Sequence, residues 1–553
     1  MRNREDKAIR SLAIWLILIV LGVALGGRSL AADDSPVTSD DAAPVASDEA
    51  AGAYSLFLPS ILSRSQTSIG ANCRYGVAVG RSEDYYNWYG QIGAGWRLNF
   101  GTAADSAPAN VEYVPVVWVE QDQDANGNYL PTYSTVPSLT DYGLGAQITA
   151  RPGATWIVGN EVDRAYIQGD TYPDVYATAY HDVYTFIKER DPEAQVAISA
   201  LVQVTPGRLQ YLDLVWEAYL EQYGATMPVD VWNMHLYILP EIRADGTPTT
   251  AHVALGTDPA LAILESGGDA ALCPLDDVYC YAEHDDLDLF AEQILAMRNW
   301  MKEHGQQDKP LILSEYSTLY VFLDYDDPIN PTQCYVQDEY GGCFTEQRVS
   351  DFMVASFDYM ETTTDASLGY PQDDYRLVQQ WLWFSMFVPV EDTGGSSNLL
   401  TEDNTALTQV GRTFRNEVAA RPQTVNLLPD DLAYPIAFTS TPTGTINVAL
   451  SAVARNNGNK LVDNSFVATF YSDPALTQVL GSTTLNDLHG CARDIETATA
   501  VWPALPTGYH PYWVKLDSQG AVSESSENDN VATGFVLVNP HQVFIPIVTK
   551  PLP

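Results

Sequence analysis

Two apolar stretches of the sequence each end on a glutamate. Residues 155–158 run into Asn160-Glu161, and residues 310–313 run into Ser314-Glu315. Short apolar runs bounded in this way predict buried strands, and parallel barrels carry their chemistry at the carboxyl ends of such strands. Cleavage of a glycosidic bond by retention needs two carboxyl groups, one protonated and one ionised. The two stretches therefore predict Glu161 as the acid/base and Glu315 as the nucleophile.

Polar residues on other predicted strands could support this pair. His235 and Tyr237 are two residues apart, so they share one face of a strand. Tyr237 is expected to donate a hydrogen bond to Glu315 and keep it ionised, and Arg97 to do the same by its charge. Because an ionised Glu315 disfavours a second charge nearby, we expect the higher pKa at Glu161. A core histidine is the alternative for His235, and a structural arginine the alternative for Arg97.

Three further side chains are candidates for contact with a sugar. Asn160, beside the predicted acid, could hydrogen-bond the hydroxyl next to the reacting carbon. Trp383 and Trp118 offer flat apolar surfaces on which a sugar ring could lie. A place in the core is the alternative for Trp383.

Strand and helix patterns alternate between residues 73 and 420, and these elements must position the candidate residues. The predicted strands are 75–79, 96–100, 113–119, 156–159, 196–201, 231–236, 311–314 and 380–387. The predicted helices are 176–189, 209–223, 287–304, 348–360 and 406–418, and the helices after the first three strands are less clear. Eight such repeats are typical of the α/β fold called the (β/α)8 TIM barrel. An open doubly wound sheet is the alternative, but no glycine-rich turn follows the first strand.

The six cysteines are typical of a chain in an oxidising compartment. Two near-neighbour pairs, Cys273–Cys280 and Cys334–Cys343, are predicted to close the long loops after the sixth and seventh strands. Those loops extend from the face of the barrel that carries the glutamates, so we expect them to form the sides of a binding cleft. Cys73 and Cys491 could pair across domains or stay reduced, and their spacing does not decide between the two.

The sequence predicts neither a cofactor nor a metal. It contains no Cys-x-x-Cys and no His-Glu-x-x-His. The run Asp122-x-Asp124-x-Asn126-Gly127 resembles the start of a calcium loop, but Tyr133 stands where the bidentate glutamate should be. A turn is therefore the favoured interpretation.

Charge and the N-terminal segment restrict the partners and the compartment. The 553 residues carry a formal net charge of −43, which repels phosphate backbones and argues against nucleic acid as a partner. Residues 1–31 combine a basic start, an apolar run and Ser29-Leu30-Ala31, which predicts a cleaved signal peptide, secretion and no later membrane span. An uncleaved anchor is the alternative. Residues 32–72 are predicted to be an acidic disordered spacer and an N-terminal segment.

The pattern changes after residue 420. Residues 421–443 are proline-rich and predict a linker, and short strands at 446–453, 466–471, 497–501, 512–516 and 533–538 predict an all-β sandwich over 444–540. We expect this sandwich to fold on its own and to be followed by a tail, 541–553. The runs 453–459 (VARNNGN), 470–471 (FY), 508–509 (GY) and 522–530 (VSESSENDN) resemble the CARDB family of bacterial immunoglobulin-like adhesion modules. The resemblance implies a spacer or an ancillary binding role.

Residues 73–420 also resemble a known family. Gly159-Asn160-Glu161, His235-x-Tyr237, Ser314-Glu315-Tyr316 and Trp383 are similar, in the same strand order, to the clan A glycoside hydrolases. The resemblance implies a TIM barrel with the acid/base after strand four and the nucleophile after strand seven. One position departs from the clan, which often has proline after the acid/base glutamate where this chain has Val162.

These observations favour a secreted glycoside hydrolase that cleaves β-glycosidic bonds of a polysaccharide or oligosaccharide by retention. A non-catalytic carbohydrate-binding or cell-surface adhesion protein on a glycosidase-like barrel is the main alternative. An exported hydrolase with another nucleophile ranks lower, because the sequence has no Gly-x-Ser-x-Gly. The sugar, its linkage, endo or exo action and the oligomeric state stay open.

Overall fold

The computed structural model describes residues 69–78, 85–103, 107–166, 168–243, 245–265, 278–279, 283–323, 334–335, 343–441 and 443–540. The predicted signal peptide, the spacer up to residue 68, the C-terminal tail and the predicted pair Cys273–Cys280 lie outside these ranges. Within them, no helix combines the length and the apolar character that a membrane crossing requires.

Residues 69–420, called here the α/β domain, contain all eight strands that the sequence predicts. In chain order the elements are β1 Asn72–Ala78, α1 Tyr86–Ile92, β2 Ala94–Leu98, β3 Glu112–Tyr113, β4 Val116–Gln123, β5 Tyr129–Val136, α2 Leu144–Ala150, β6 Thr155–Val158, α3 Pro173–Arg190, β7 Gln195–Ile198, α4 Pro206–Tyr223, β8 Trp232–Leu236, β9 Leu264–Glu265, β10 Val278–Tyr279, α5 Leu287–Glu303, β11 Leu311–Tyr316, α6 Glu346–Thr362, β12 Gln380–Trp383 and α7 Gln409–Ala420. The five predicted helices correspond to α3–α7, and the predicted third strand corresponds to β3 together with the start of β4.

Parallel pairings connect these strands in chain order. β12 pairs with β1, β1 with β2 and β2 with β3, while β4 pairs with β6 and β6 with β7. A parallel bridge from Ala197 to Val231 leads from β7 toward β8, which pairs with β11, and β11 pairs with β12. The strands thus form a sheet of six and a sheet of four, the isolated bridge lies between β7 and β8, and two residues separate β3 from β4 along the chain.

Both faces of these strands are buried, which explains why they read as near-continuous apolar runs. One cluster takes alternate residues from every strand position and is called here the inner cluster; it consists of Ala78, Trp96, Leu98, Val114, Val116, Ile157, Ala197, Val231, Ile312 and Leu382. The residues between them belong to a second cluster that also contains the apolar faces of the helices. Each strand thus presents one set of side chains to the other strands and the alternate set to the helices.

A β-hairpin that the sequence analysis missed follows the third strand position. β4 and β5 pair antiparallel, and the turn between them contains the calcium-like run. Asp124 accepts hydrogen bonds from the backbone amides of Asn126 and Asn128, at 2.8 and 3.0 Å, while Asp122 accepts from two hydroxyls on β5. The interpretation of this run as a turn is therefore confirmed.

Residues 421–540, called here the β module, contain only strands. These are β13 Leu427–Asp430, β14 Ile436–Ala437, β15 Ile446–Asn456, β16 Phe466–Tyr471, β17 Val479–Leu485, β18 Glu496–Leu505, β19 Gly508–Lys515 and β20 Val531–Val538. One sheet has the order β13-β15-β18 and the other the order β14-β20-β19-β16-β17. The predicted linker contains β13 and β14, one in each sheet, so the expectation that 421–443 only connects two domains is wrong.

The β module is attached covalently to the first strand of the α/β domain. Cys73 in β1 forms a disulfide with Cys491, which decides between the two possibilities left open by the sequence. The backbone amide of Cys73 also donates to the carbonyl of Asn459, at 3.1 Å. Cys334 and Cys343 are paired as predicted.

Arg493 of the β module inserts among the first residues of three strands of the α/β domain. Its guanidinium donates to Thr155 Oγ1 at 2.7 Å and to Gln380 Oε1, and the backbone carbonyl of Arg493 accepts from Gln195 Nε2. Thr155, Gln195 and Gln380 begin β6, β7 and β12. The β module therefore covers the end of the strands opposite to the one at which the two glutamates lie.

Candidate active site

The backbone beyond β6 turns sharply to present Glu161. Gly159 has φ 88° and Glu161 has φ 44°, both in the left-handed region. At Gly159 a Cβ would lie 2.6 Å from the Val162 side chain, so the turn requires glycine there. Glu315 lies within β11, where a register shift after Leu313 makes it the direct neighbour of His235 in β8. Local chain geometry at two strand ends thus brings the glutamates toward one another.

Glu161, His235 and Glu315 form a buried trio. One oxygen of each carboxylate and one ring nitrogen of the histidine all lie within 4.8 Å of one another. His235 Nδ1 lies 3.1 Å from Glu161 Oε1, and the hydroxyl of Tyr237 donates to Glu315 Oε1 at 2.6 Å. The predicted hydrogen bond from Tyr237 to Glu315 is therefore confirmed. His235 contacts the other carboxylate, that of Glu161.

Arg164 is a member of the site that the sequence analysis did not consider. Its Nη1 lies 3.0 Å from Glu161 Oε2, and its Nε donates to the carbonyl of Thr250 at 2.9 Å. The side chain is 12% exposed and that of Glu161 is 4% exposed, so the ion pair is largely shielded from water. A cation three residues after a predicted catalytic glutamate was the only available signal in the sequence.

The protonation of the two carboxyl groups is opposite to the sequence-based expectation. Burial acts to raise the pKa of Glu161, but the hydrogen bond from His235 and the charge of Arg164 outweigh it and lower the pKa to about 2. Burial raises the pKa of Glu315 to about 7; the charge of His235 opposes this rise and the charge of Glu161 adds to it. The surroundings thus favour the opposite pKa order to the one expected from the sequence, because His235 and Arg164 both stabilise ionised Glu161.

His284 holds Tyr237 in place and was also missed. Its Nδ1 lies 3.3 Å from the carbonyl of Ile238, and its Nε2 accepts from the amide of Leu319 at 2.6 Å. Burial lowers the pKa of His284 to about 4, so the ring is neutral and can both donate and accept. It stacks on Tyr237 with ring centroids 6.3 Å apart. The ring thus links the segments after β8 and β11, the two strands that carry His235 and Glu315.

Arg97 is not part of this site. Trp96 and Leu98 belong to the inner cluster, so alternation directs Arg97 to the opposite face of β2. Its guanidinium carbon lies 4.6 Å from the ring centroid of Tyr113 and 5.7 Å from that of Tyr89. The predicted contact with Glu315 is therefore wrong, and the structural alternative holds.

Trp383 is a core residue and not a sugar platform. It is fully buried, its Nε1 donates to the carbonyl of Ser397 at 2.8 Å, and its ring meets that of Tyr316 edge-on at 5.3 Å. The next residue, Phe384, packs instead against the inner cluster and is only partly buried. An aromatic contact with substrate from this strand would come from Phe384.

Trp118 and Asn160 occupy positions compatible with their predicted roles. Trp118 is partly buried. It lies two residues after Val116 in β4, so it shares the face of the strand that Val116 presents to the inner cluster. The side-chain amide of Asn160 donates to Gln168 Oε1 at 3.1 Å. Contact of either residue with a sugar stays a prediction.

The buried trio also has the composition of a possible cation site, since each member offers one ligand atom. Arg164 already supplies a positive charge to Glu161, and the hydroxyl of Tyr237 already donates to Glu315. Both carboxyl groups therefore already have hydrogen-bonding partners on the protein.

Comparisons with known proteins bear on both parts of the chain. Residues 431–534 match the CARDB family model. A GH128 (subgroup I) endo-beta-1,3-glucanase from Amycolatopsis mediterranei aligns with 62% of this chain and 99% of its own, at 17% identity and a TM-score of 0.37. A GH128 (subgroup II) endo-beta-1,3-glucanase from Sorangium cellulosum aligns with 64% of this chain and 99% of its own, at 16% identity and a TM-score of 0.36.

The CARDB domain of a protein from Pyrococcus furiosus, solved in complex with di-metal ions, aligns with 22% of this chain and 97% of its own, at 17% identity and a TM-score of 0.18. No curated protein sequence matches the chain. Scores and identities this low transfer no residue role to this chain. The family match and the strand content of the β module agree, so the chain is a mixed α/β protein with a C-terminal CARDB domain built of β strands.

Proposed function

We propose that the α/β domain is a (β/α)8 TIM barrel of the clan A type, and that the chain is a secreted glycoside hydrolase that cleaves β-glycosidic bonds by retention. The chain order of the parallel pairings and the inner cluster support the barrel. The pair Cys73–Cys491 and the pair Cys334–Cys343 support an oxidising compartment.

The close approach of Glu161 and Glu315 is the observation that carries this proposal. Retaining enzymes hold their two carboxyl groups about 5–5.5 Å apart, whereas inverting enzymes leave about 6.5–9.5 Å for a water molecule. The approach of one oxygen of Glu161 to one of Glu315 within 4.8 Å favours retention. Two carboxyl groups this close, at the ends of strands on one face, also argue against a purely adhesive role.

In the proposed reaction, Glu315 attacks the anomeric carbon and the bond from that carbon to the glycosidic oxygen breaks. Glu161 gives its proton to the departing oxygen, so the first product leaves as an alcohol. Glu161, now ionised, takes a proton from water, and the oxygen of that water displaces Glu315 from the sugar. Two displacements at one carbon restore the β configuration.

This sequence of steps needs the proton on Glu161, whereas the resting arrangement keeps Glu161 ionised. His235 is the adjacent group that carries a proton: its Nδ1 contacts Glu161 Oε1, and its pKa is raised because the charge of Glu315 and the bond to Glu161 outweigh burial. We infer that His235 passes a proton to Glu161 when a substrate occupies the site.

Reducing-end release from a panel of polysaccharides tests the proposed function. The panel should include a β-1,3-glucan, which the GH128 enzymes named above act on, together with β-1,4-linked polymers. We expect turnover of at least one β-linked polymer by the full chain. Binding to a polymer without release of reducing ends would support the carbohydrate-binding alternative instead.

The Tyr237→Phe variant is expected to move the acidic limb of the pH profile of kcat/KM to higher pH. The hydroxyl stabilises ionised Glu315, so its removal raises the pKa of a nucleophile that must be ionised to attack. Loss of a hydrogen bond to a charged group costs about 1.5–3 kcal/mol, which predicts a shift of about one to two pH units. Tyr320→Phe is a suitable control, since its ring packs against His284 with ring centroids 4.7 Å apart. An unchanged acidic limb would contradict the role of Tyr237.

A further inference from the structure

Arg164 joins one candidate catalytic carboxylate to the segment that follows β8. The guanidinium donates through Nη1 to Glu161 and through Nε to the carbonyl of Thr250. The backbone of Arg164 forms a bridge with Ala254. Segment 249–255 is therefore connected to Glu161 by one side chain that is itself nearly buried.

The same segment is fixed to the β6 loop by a second, separate set of contacts. Arg208 pairs with Asp163 and with Glu241, and its Nη2 donates to the carbonyls of Ala251 and His252 at 2.8 and 2.9 Å. Because Asp163 and Glu241 neutralise Arg208, this set can hold the segment without Arg164. Arg164 is thus not needed to hold segment 249–255 in place. Its contact with Glu161 must therefore have a different role.

The charged and titratable groups near Arg164 and Glu161 include the hydroxyl of Tyr237 and, around His252, Arg208 and Arg243. Glu161 faces His235 on β8, Arg164 on its own loop and, through His235, Glu315 on β11. On its far side Arg164 lies near His252, whose pKa burial and the neighbouring arginines lower to about 4, so that it stays neutral near pH 7. Arg164 is therefore the permanent positive charge in direct contact with the trio, whereas the charge of His235 depends on pH.

We propose that Arg164 is a positioning residue that fixes the Glu161 carboxylate and, by its charge, sets the pH range over which the trio holds its protons. The proposal rests on the proposed function.

The direction of the pH effect follows from the charge alone. Removal of a cation from the trio makes every proton on it harder to lose, so both limbs of the pH profile of kcat/KM move to higher pH. An opposite charge at this distance changes the pKa of a carboxyl group by about one to three units. A residue that only packed the loop would lower kcat without moving either limb.

Arg164→Gln and Arg164→Lys separate charge from packing. Gln keeps an N–H donor and loses the charge, whereas Lys keeps the charge and loses the forked geometry. We expect the profile of Arg164→Gln to move upward by about one to two pH units and that of Arg164→Lys to stay near the wild type. Arg190→Met, which removes an exposed pair with Asp141, is the control and should leave the profile unchanged.

A second measurement does not depend on turnover. Infrared titration of the carboxyl groups, with Glu161→Gln to identify the band of Glu161, should show protonation of this group at higher pH in Arg164→Gln than in the wild type. Equal titration of Glu161 in the two proteins would overturn the proposal. Absence of turnover by the wild type with the expected infrared shift would instead refute the proposed function and leave the electrostatic role of Arg164 standing.

Discussion

The Glu315→Gln variant is expected to lose kcat on every β-linked substrate by at least about 10³-fold, because the amide cannot form the covalent bond to the anomeric carbon. Glutamine has the shape of glutamate and can still accept a hydrogen bond from Tyr237, so the fold should be unaffected. The loss corresponds to about 4 kcal/mol of transition-state stabilisation. Reducing-end release by the purified variant measures it.

A matched substitution, Glu303→Gln, should leave turnover unchanged, since Glu303 is an exposed residue at the end of α5.

Glu161→Ala provides a complementary result. It should lose less on substrates with a good leaving group, which depart without a proton, and it should recover rate with azide, which attacks the glycosyl-enzyme without a general base. The azide product should have the β configuration.

Two outcomes would contradict this assignment. A Glu315→Gln protein that keeps more than about a tenth of wild-type kcat cannot have lost its nucleophile, because loss of one essential catalytic group costs about 10²–10⁴-fold. An α-configured first product from the unmutated protein on a β-linked substrate would refute retention, whatever the mutants do.

The Arg493→Met variant is expected to destabilise the whole chain by about 3 kcal/mol. Methionine preserves the apolar stem but leaves Thr155, Gln195 and Gln380 covered by the β module without their charged partner. A buried polar group that loses its partner costs about 1–3 kcal/mol, and domains are stable by only about 5–15 kcal/mol. The shift of the urea unfolding midpoint, with an unchanged slope, measures this effect.

Arg190→Met again provides the control, because exposed ion pairs contribute only about 0–1 kcal/mol. The KM of folded Arg493→Met should equal that of the wild type, since the insertion lies at the opposite end of the strands from the glutamates.

A chain ending at Ala420 loses this contact and the disulfide of Cys73, which stabilises by about 2–4 kcal/mol. We therefore expect the shortened chain to be much less stable, contrary to the sequence-based expectation of two independent folding units. Equal stability of the shortened and full chains would refute the role of Arg493.

The sequence by itself determined which segments form strands and helices of the α/β domain. Period-two and period-3.6 patterns of apolar residues reflect burial directly, so the eight parallel strand positions and α3–α7 could be located within a few residues, whereas β5, β9 and β10 were missed. The pair Glu161 and Glu315 was also accessible, because each follows a buried strand and the carboxyl ends of parallel strands lie on one face. Tyr237 was placed correctly because it follows His235 by two residues.

Other features were decided only by the tertiary structure. Both faces of the strands are buried, so the apolar pattern does not tell which of two adjacent residues faces inward; Arg97 and Trp383 were therefore assigned to the wrong face. The lowered pKa of Glu161 depends on Arg164 as well as on His235, and Arg493 fixes the β module to the first residues of three strands. Both arginines lie outside regular elements and act through contacts that no local pattern encodes, since the partners of a loop side chain are set by how distant segments pack.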